Sequence, residues 1–109
     1  FKFMSLKFIE ILKTLPDVAE LDRIELYDLN DNFIDKIENL PGTQGSLKVY
    51  FFLFKTYKLI DTEAAQNGLK LFSEHTVDAK KKPGSHPNID RLIHLINNNE
   101  VLKIKVFPR

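Results

Sequence analysis

Apolar and polar residues repeat with two different periods along this chain, and each period predicts a type of element. Within residues 5–14 the apolar residues recur every three or four positions, which is the spacing of a helix face. Ser5 is the expected N-cap, and Pro16 is expected to end the helix because a proline ring excludes the residue before it from helical geometry.

The period changes to two in residues 22–38, which predicts a β-hairpin. Apolar and polar positions alternate on both sides of residues 30–32, and the sequence Asn-Asp-Asn at that point tolerates the positive φ angles of a turn. The second arm presents apolar residues on both faces. We therefore expect a β-bulge near the turn.

The apolar run in residues 47–58 fits either a central strand or a buried helix. Val49–Phe54 is uninterrupted and rich in strand-forming residues, yet the patterned stretch is about twelve residues long, and strands usually have 4–8. Length favours the helix, with Ser46 as its N-cap. Its innermost stripe leaves Phe52 and Leu53 to the side, where they are candidates for exposure.

Two further helices and a last strand are predicted after residue 60. Asp61 is the expected N-cap of a helix that reaches the Pro83-Gly84 stop, and Gly68 within it predicts a close helix crossing. Pro87 suits the first turn of the next helix, which is expected to end at residues 97–99. Residues 100–107 alternate as a strand.

These elements predict a single α+β domain over residues 1–109, in the order α-β-β-α-α-α-β. We expect a three-stranded antiparallel sheet with the helices packed on one face. The sequence leaves open whether Phe1–Phe3 are natural residues or precede a native start at Met4.

Composition excludes several classes of protein. The chain has no cysteine, which removes disulfides, thiolate catalysis and cysteine-ligated zinc, and which suits a cytoplasmic location. We find no apolar stretch that approaches the ~18 residues of a membrane span, so no membrane partner is expected.

Charge is unevenly distributed although the net charge is only +1. Residues 17–38 contain eight acids against Arg23 and Lys36, a net −6, which leaves +7 for the rest of the chain. Such polarity can steer a charged partner, but a hairpin also needs charge on its outer face for solubility, and we favour the second interpretation.

Three segments of the second half resemble a family of small bacterial proteins catalogued only as a domain of unknown function. They read GSLKVY at 45–50, EAAQNGLKLFSEHT at 63–76 and PGSHPNIDRL at 83–92, and the resemblance covers residues 20–97. It implies a one-domain bacterial cytoplasmic protein and a helix beginning at GSLKVY. It implies no activity, cofactor or site residue.

The first candidate site is an anion grip at the start of the last helix, where free backbone N–H groups and the helix dipole favour negative charge. Its members would be Lys80, Lys81, Lys82, Gly84, Ser85, His86 and Arg91. The alternative, which we favour, is that one helix ends in lysines and the next is capped.

The second candidate is a metal site on the same helix. His86, Asp90 and His94 are spaced four residues apart, on one line of the helix, and His75 could add a ligand. The simpler interpretation, which we favour, is that His86 caps the helix and Asp90 is a first-turn charge. His94 is then a surface residue, and His75 is a half-buried histidine with its hydrogen bonds satisfied.

Catalysis and nucleic-acid binding have weaker support. We find no nucleophile-elbow or P-loop spacing and predict no cofactor, so an enzyme is not favoured. A helix-turn-helix around Leu59-Ile60 would present Asp61 and Glu63 to DNA phosphates, which would repel them.

A binding role is therefore the leading hypothesis. Tyr27 and Phe107 would be aromatic residues on the outer sheet face, and exposed aromatics with a charged rim suit a protein partner or a homodimer. We expect a small cytoplasmic, non-catalytic binding or adaptor protein. A phosphate- or nucleic-acid-binding regulator that uses residues 80–91 is the alternative, and a metal-dependent enzyme is the third hypothesis.

Overall fold

The computed structural model describes residues 6–109, which form five helices and four strands. The predicted N-cap Ser5 lies outside the described residues. The elements are α1 (Phe8–Leu12), β1 (Leu21–Tyr27), β2 (Phe33–Glu38), α2 (Gln44–Tyr57), β3 (Leu59–Ile60), α3 (Thr62–Leu71), α4 (Glu74–Lys81), α5 (Pro87–Asn97) and β4 (Leu102–Pro108).

The strands form an antiparallel sheet in the order β2-β1-β4-β3. The α+β class is confirmed, but the three-stranded sheet was wrong by one strand. Lys58 adopts a φ of 71°, which ends α2 and lets Leu59 and Ile60 run extended beside Lys103 and Leu102. A two-residue strand is too short to show an alternating pattern in the sequence, so β3 was not predicted. Because β3 pairs with the outer side of β4, the last strand of the chain lies inside the sheet and not at its edge.

The predicted bulge is confirmed and decides where one acidic side chain points. Leu26 pairs with Asp35 and Tyr27 pairs with Phe33, so Ile34 is the extra residue. Directly opposed residues share a face of the sheet. Because Leu26 is fully buried beneath the helices, Asp35 is placed on the helix side.

Residues 44–57 form the buried helix that length favoured over a strand. It begins before the predicted cap: Thr43 is the N-cap and Ser46 lies in the first turn. Of the two candidates for exposure, Leu53 is fully buried and Phe52 is half-buried.

The single helix predicted from Asp61 to Pro83 is two helices. Asp61 does cap α3, accepting a hydrogen bond from the Ala64 N–H at 2.9 Å. The chain then breaks at Ser73, whose φ is 54° and whose Oγ donates to the Leu6 carbonyl at 2.5 Å. Leu6 is distant in sequence, so the break depends on tertiary structure. It turns α4 toward α5.

Gly68 permits the predicted close crossing of α3 with its neighbours. A Cβ at this position would lie 2.8 Å from Leu92 Cδ1 and 3.0 Å from Leu53 Cδ1. Those two leucines come from α5 and α2, so the three helices meet at this glycine.

The core lies between these helices and one face of the sheet. The buried strand residues alternate with charged ones that face outward, as expected for a sheet covered on one side. The buried sheet residues are Leu21, Ile24, Leu26, Ile37, Ile60, Leu102 and Ile104. Within residues 6–109, no helix has the length and apolar character that a membrane crossing requires.

Candidate functional site

A cleft of about 560 Å³ opens where α1, the loop before α2 and the start of α5 meet. Segments distant in sequence supply its walls, including parts of all three segments that carry the family resemblance. Its lining residues are Phe8, Leu12, Pro41, Gly42, Thr43, Gln44, Gly45, Ser46, Phe72, His75, Ser85, His86, Pro87, Asn88 and Ile89.

Two helices begin at the cleft, and neither start is capped by a side chain. The Thr43 hydroxyl donates to the Glu38 carbonyl at 2.7 Å instead of accepting from α2, and the His86 side chain makes no cap bond to α5. The backbone N–H groups of Gly45, Ser46 and Asn88 have no acceptor among residues 6–109. These groups carry partial positive charge.

A row of aromatic rings forms one wall. Phe8 stacks on Phe72 with ring centroids 5.4 Å apart and meets the His75 ring edge-on at 5.1 Å. His75 in turn lies 5.4 Å from the ring of His86. The wall thus passes from apolar rings to imidazoles that can donate or accept hydrogen bonds.

His86 is held by an aspartate that the sequence did not single out. His86 Nε2 lies 2.8 Å from Asp78 Oδ2. The hydrogen bond from His86, followed by the nearby charges of Lys82 and His86, lowers the pKa of Asp78. This pair joins α4 to the N-cap residue of α5 and fixes His86 at the rim.

The predicted metal ligands do not converge. The Asp90 carboxylate accepts from the Gly84 N–H at 2.8 Å, and His94 Nε2 lies 3.4 Å from Glu100 Oε1. Only His75 and His86 are brought together at the cleft. Among residues 6–109, no group of three or more His, Asp or Glu side chains is close enough to hold a metal ion.

The residues of the predicted anion site do not lie together either. Ser85 and His86 line the cleft, but the exposed residues Lys80, Lys81 and Lys82 do not, and Lys82 Nζ lies 3.7 Å from Asp78. The Gly84 N–H is used by Asp90, as described above.

Arg91, the remaining member of the predicted grip, is committed to a network beneath the cleft. Its side chain is only 12% exposed and pairs with Asp35 on β2. Its Nη1 donates to Tyr50 Oη at 3.1 Å and to Asn88 Oδ1 at 2.9 Å. The Tyr50 hydroxyl donates to the Asn88 carbonyl at 2.5 Å. Arg91 therefore fixes the start of α5 and is not available to a ligand.

The two aromatic rings on the outer face of the sheet are covered by cationic side chains of the same face. The guanidinium carbon of Arg23 lies 4.0 Å from the centre of the Phe107 ring, and Lys105 Nζ lies 4.4 Å from that of Tyr27. Both aromatics are half-buried rather than exposed. Hydrogen bonds from Tyr27 and Arg23 lower the pKa of Glu25 beside them.

The acidic segment is partly neutralised by cations within the molecule. Five of its eight acids lie in ion pairs, two of them with cations from distant parts of the chain, namely Asp35 with Arg91 and Asp31 with Lys103. The other paired acids are Asp22, Glu25 and Glu38. This pairing supports the interpretation of the charge as a solvated face.

Fold and site together define a small α+β domain that has a mixed apolar and polar cleft at two helix starts. The chain belongs to a family described as "Uncharacterized protein conserved in bacteria (DUF2322)", whose family model matches residues 8–106. The predicted family membership is thereby confirmed. No curated protein and no solved structure matches the chain.

Sequence reasoning found one side of the cleft and missed the other. The segment 83–92 attracted attention through its histidine and Pro-Gly turn. The segment 41–46 contains a similar Pro-Gly turn just before α2, and that repetition was the available signal. The contributions of Phe8 and Phe72 gave no signal, because apolar residues at helical spacing predict only a core.

Proposed function

We propose that this protein is a small non-catalytic binding or adaptor protein whose ligand occupies the cleft between α1, α2 and α5. One observation carries the proposal: an open cleft combines an aromatic wall with backbone N–H groups that have no acceptor within the described residues. Ligand sites in proteins are concave and largely apolar, with a few polar groups that orient the ligand.

The lining indicates the chemistry of the ligand. Phe8 and Phe72 suit a flat apolar group, and the N–H groups of Gly45, Ser46 and Asn88 suit a carboxylate or phosphate. An aromatic carboxylate, or a peptide segment that carries both groups, fits this combination. The neutral donors orient the anion without the ion pairs that the lysines would make.

The anion-binding regulator, our alternative, is supported in a narrower form. Ser85 and His86 keep their place at the rim, while Lys80–Lys82 lie off the cleft and Arg91 is occupied by Asp35. A small anion at the helix starts fits better than a long phosphate backbone, which needs a continuous row of cations.

The proposal of a non-catalytic role rests on how the polar side chains are used. Ser85 Oγ donates to the Lys82 carbonyl at 2.7 Å, and His86 Nε2 is taken by Asp78. An activated nucleophile needs a hydrogen bond to a general base, and neither of these contacts makes one.

An adaptor binds a protein partner or a second copy of its own chain, and we place this one in the cytoplasm. The cysteine-free sequence supports the location. Self-pairing through a sheet edge is disfavoured because β2 has a bulge and β3 has two residues. Light scattering during size exclusion tests the dimer, which a monomer at high concentration would contradict.

Calorimetry with benzoate, inorganic phosphate and uncharged benzyl alcohol tests the cleft. Benzoate should bind, phosphate more weakly, and benzyl alcohol least. Ser46→Glu places a negative charge at the α2 start, where it favours the helix but repels an anion. Gln66→Glu makes a similar charge change on the exposed side of α3 and should preserve binding. Equal benzoate affinity in both variants would contradict the site.

A further inference from the structure

Helix α1 forms one wall of the cleft yet is attached loosely to the rest of the domain. None of its five residues is buried, and Ile9 on its outer side is 68% exposed. A helix of this length does not persist on its own in water. Its contacts with the domain therefore decide whether it stays in place.

The polar contacts of α1 are at its two ends. At the start, the Phe8 N–H donates to Glu74 Oε1 at 2.8 Å, and Ser73 Oγ donates to the Leu6 carbonyl at 2.5 Å. At the end, Lys48 Nζ donates to the Leu12 carbonyl at 2.7 Å. Each bond joins a side chain of the domain to the backbone of this segment.

The apolar contacts of α1 are the ring contacts of Phe8 with Phe72 and His75, described above, and a contact across a glycine. A Cβ on Gly45 would lie 3.0 Å from Phe8 Cε2 and 3.4 Å from Leu12 Cδ1. Phe8 and Leu12 thus rest directly on the first turn of α2. Removing α1 would widen the cleft at the backbone N–H groups proposed to receive the ligand.

The chain after α1 is firmly anchored. Leu15 and Val18 are buried in the core, whereas Lys13 and Thr14, which join α1 to Leu15, are exposed. A hinge at residues 13–14 would let α1 move without disturbing the core.

We infer that α1 is a movable wall of the cleft, which swings out about residues 13–14 while the rest of the domain stays folded. Its opening admits the ligand to the α2 start, and a bound ligand in contact with Phe8 holds it closed. The gating role rests on the proposed function, but the motion itself is a property of the free protein.

Amide hydrogen exchange of the free protein tests the motion. The Phe8, Ile11 and Lys13 amides should exchange far faster than those of Leu92 and Leu95 in α5. Glu74→Gln weakens the bond at the start of α1 and should accelerate exchange there about threefold to tenfold, the range for losing a helix-start hydrogen bond. Exchange in α5 should not change. Glu63→Gln, the same change in the first turn of α3, should leave α1 unaffected.

Gly45→Ala provides a second, independent variant. The added methyl group occupies the space of the Phe8 ring, so exchange in α1 should accelerate while α5 keeps its protection. The inference is overturned if α1 and α5 amides exchange at one common rate, or if neither variant acts on α1 selectively. No ligand is used, so failure of benzoate binding would refute the proposed function without affecting this result.

Discussion

His86 Nε2 and Asp78 Oδ2 are 2.8 Å apart, and this contact holds the start of α5 against α4 at the rim of the cleft. The pair makes the orientation of His86 dependent on the charge of Asp78. The hydrogen bond from His86 is the main cause of the lowered pKa of that carboxyl.

Asp78→Asn should destabilise the fold at neutral pH and have less effect in acid. A carboxyl whose pKa is lowered on folding contributes stability that is present above its unfolded pKa and lost as pH falls through the folded pKa. The difference between wild type and variant should therefore shrink below about pH 4. Urea unfolding at neutral and acidic pH measures it. Glu20 is an exposed acid in no ion pair among residues 6–109, so Glu20→Gln is the control. If the stability difference between wild type and Asp78→Asn stays the same at both pH values, the ion pair with His86 does not stabilise the fold.

Arg91→Ala should cost about 1–3 kcal/mol of unfolding free energy, because it leaves Asp35, Tyr50 and Asn88 without their shared donor. Urea unfolding measures the loss. Lys81→Ala, an exposed member of the same predicted anion set, should change stability by less than about 0.5 kcal/mol. Similar effects of the two variants would show that Arg91 is not part of a structural network.

Tyr50→Phe should cost about 1–2 kcal/mol at neutral pH, because the Asn88 carbonyl loses its donor and Arg91 loses an acceptor. Burial raises the pKa of Tyr50 to about 12. A raised pKa gives stability that is complete below the unfolded value of about 10 and is lost as pH rises toward 12.

The wild type should therefore lose about 2–3 kcal/mol across that alkaline window through Tyr50, and Tyr50→Phe should not. Urea unfolding at about pH 8 and about pH 11 compares them; at the higher pH about half of that loss, about 1.4 kcal/mol, should be present in the wild type and absent in Tyr50→Phe. Tyr57→Phe leaves Tyr50 intact and should keep the alkaline loss. An identical alkaline loss in Tyr50→Phe would assign it to other groups.

Gly68→Ala should destabilise the domain by about 1–2 kcal/mol. Overpacking against Leu92 and Leu53 costs about 1–3 kcal/mol, and the helix propensity of alanine returns up to about 1 kcal/mol. Chemical unfolding measures the balance. Gln66→Ala, on the exposed side of the same helix, should be neutral or stabilising. A stabilised Gly68→Ala would mean that the helices separate without cost.

The sequence predicted those features of the fold that are set locally. Pro87 predicted the start of α5, and Asp61 predicted the cap of α3. The bulge was predicted because apolar residues lie on both faces of the second strand directly after the hairpin turn. The break at Ser73 and the strand at Leu59–Ile60 were missed because each depends on a distant partner, the Leu6 carbonyl in one case and β4 in the other.

Only part of the candidate site was predicted, because its other contacts also depend on residues that are distant in sequence. His86 was singled out, but its partner Asp78 was read as part of a continuous helix and was not assigned to the site. Arg91 was assigned to a ligand because nothing local shows that Asp35, 56 residues away, turns inward at the bulge to bind it.

The proposed ligand site is tested most directly by mapping benzoate binding with amide chemical shifts in the wild-type protein. If benzoate occupies the cleft, the largest shifts cluster at Gly45, Ser46, His75 and Asn88, and Ser46→Glu abolishes them. Shifts centred on the outer sheet face around Tyr27 and Lys105, or no saturable shifts at all, would contradict it.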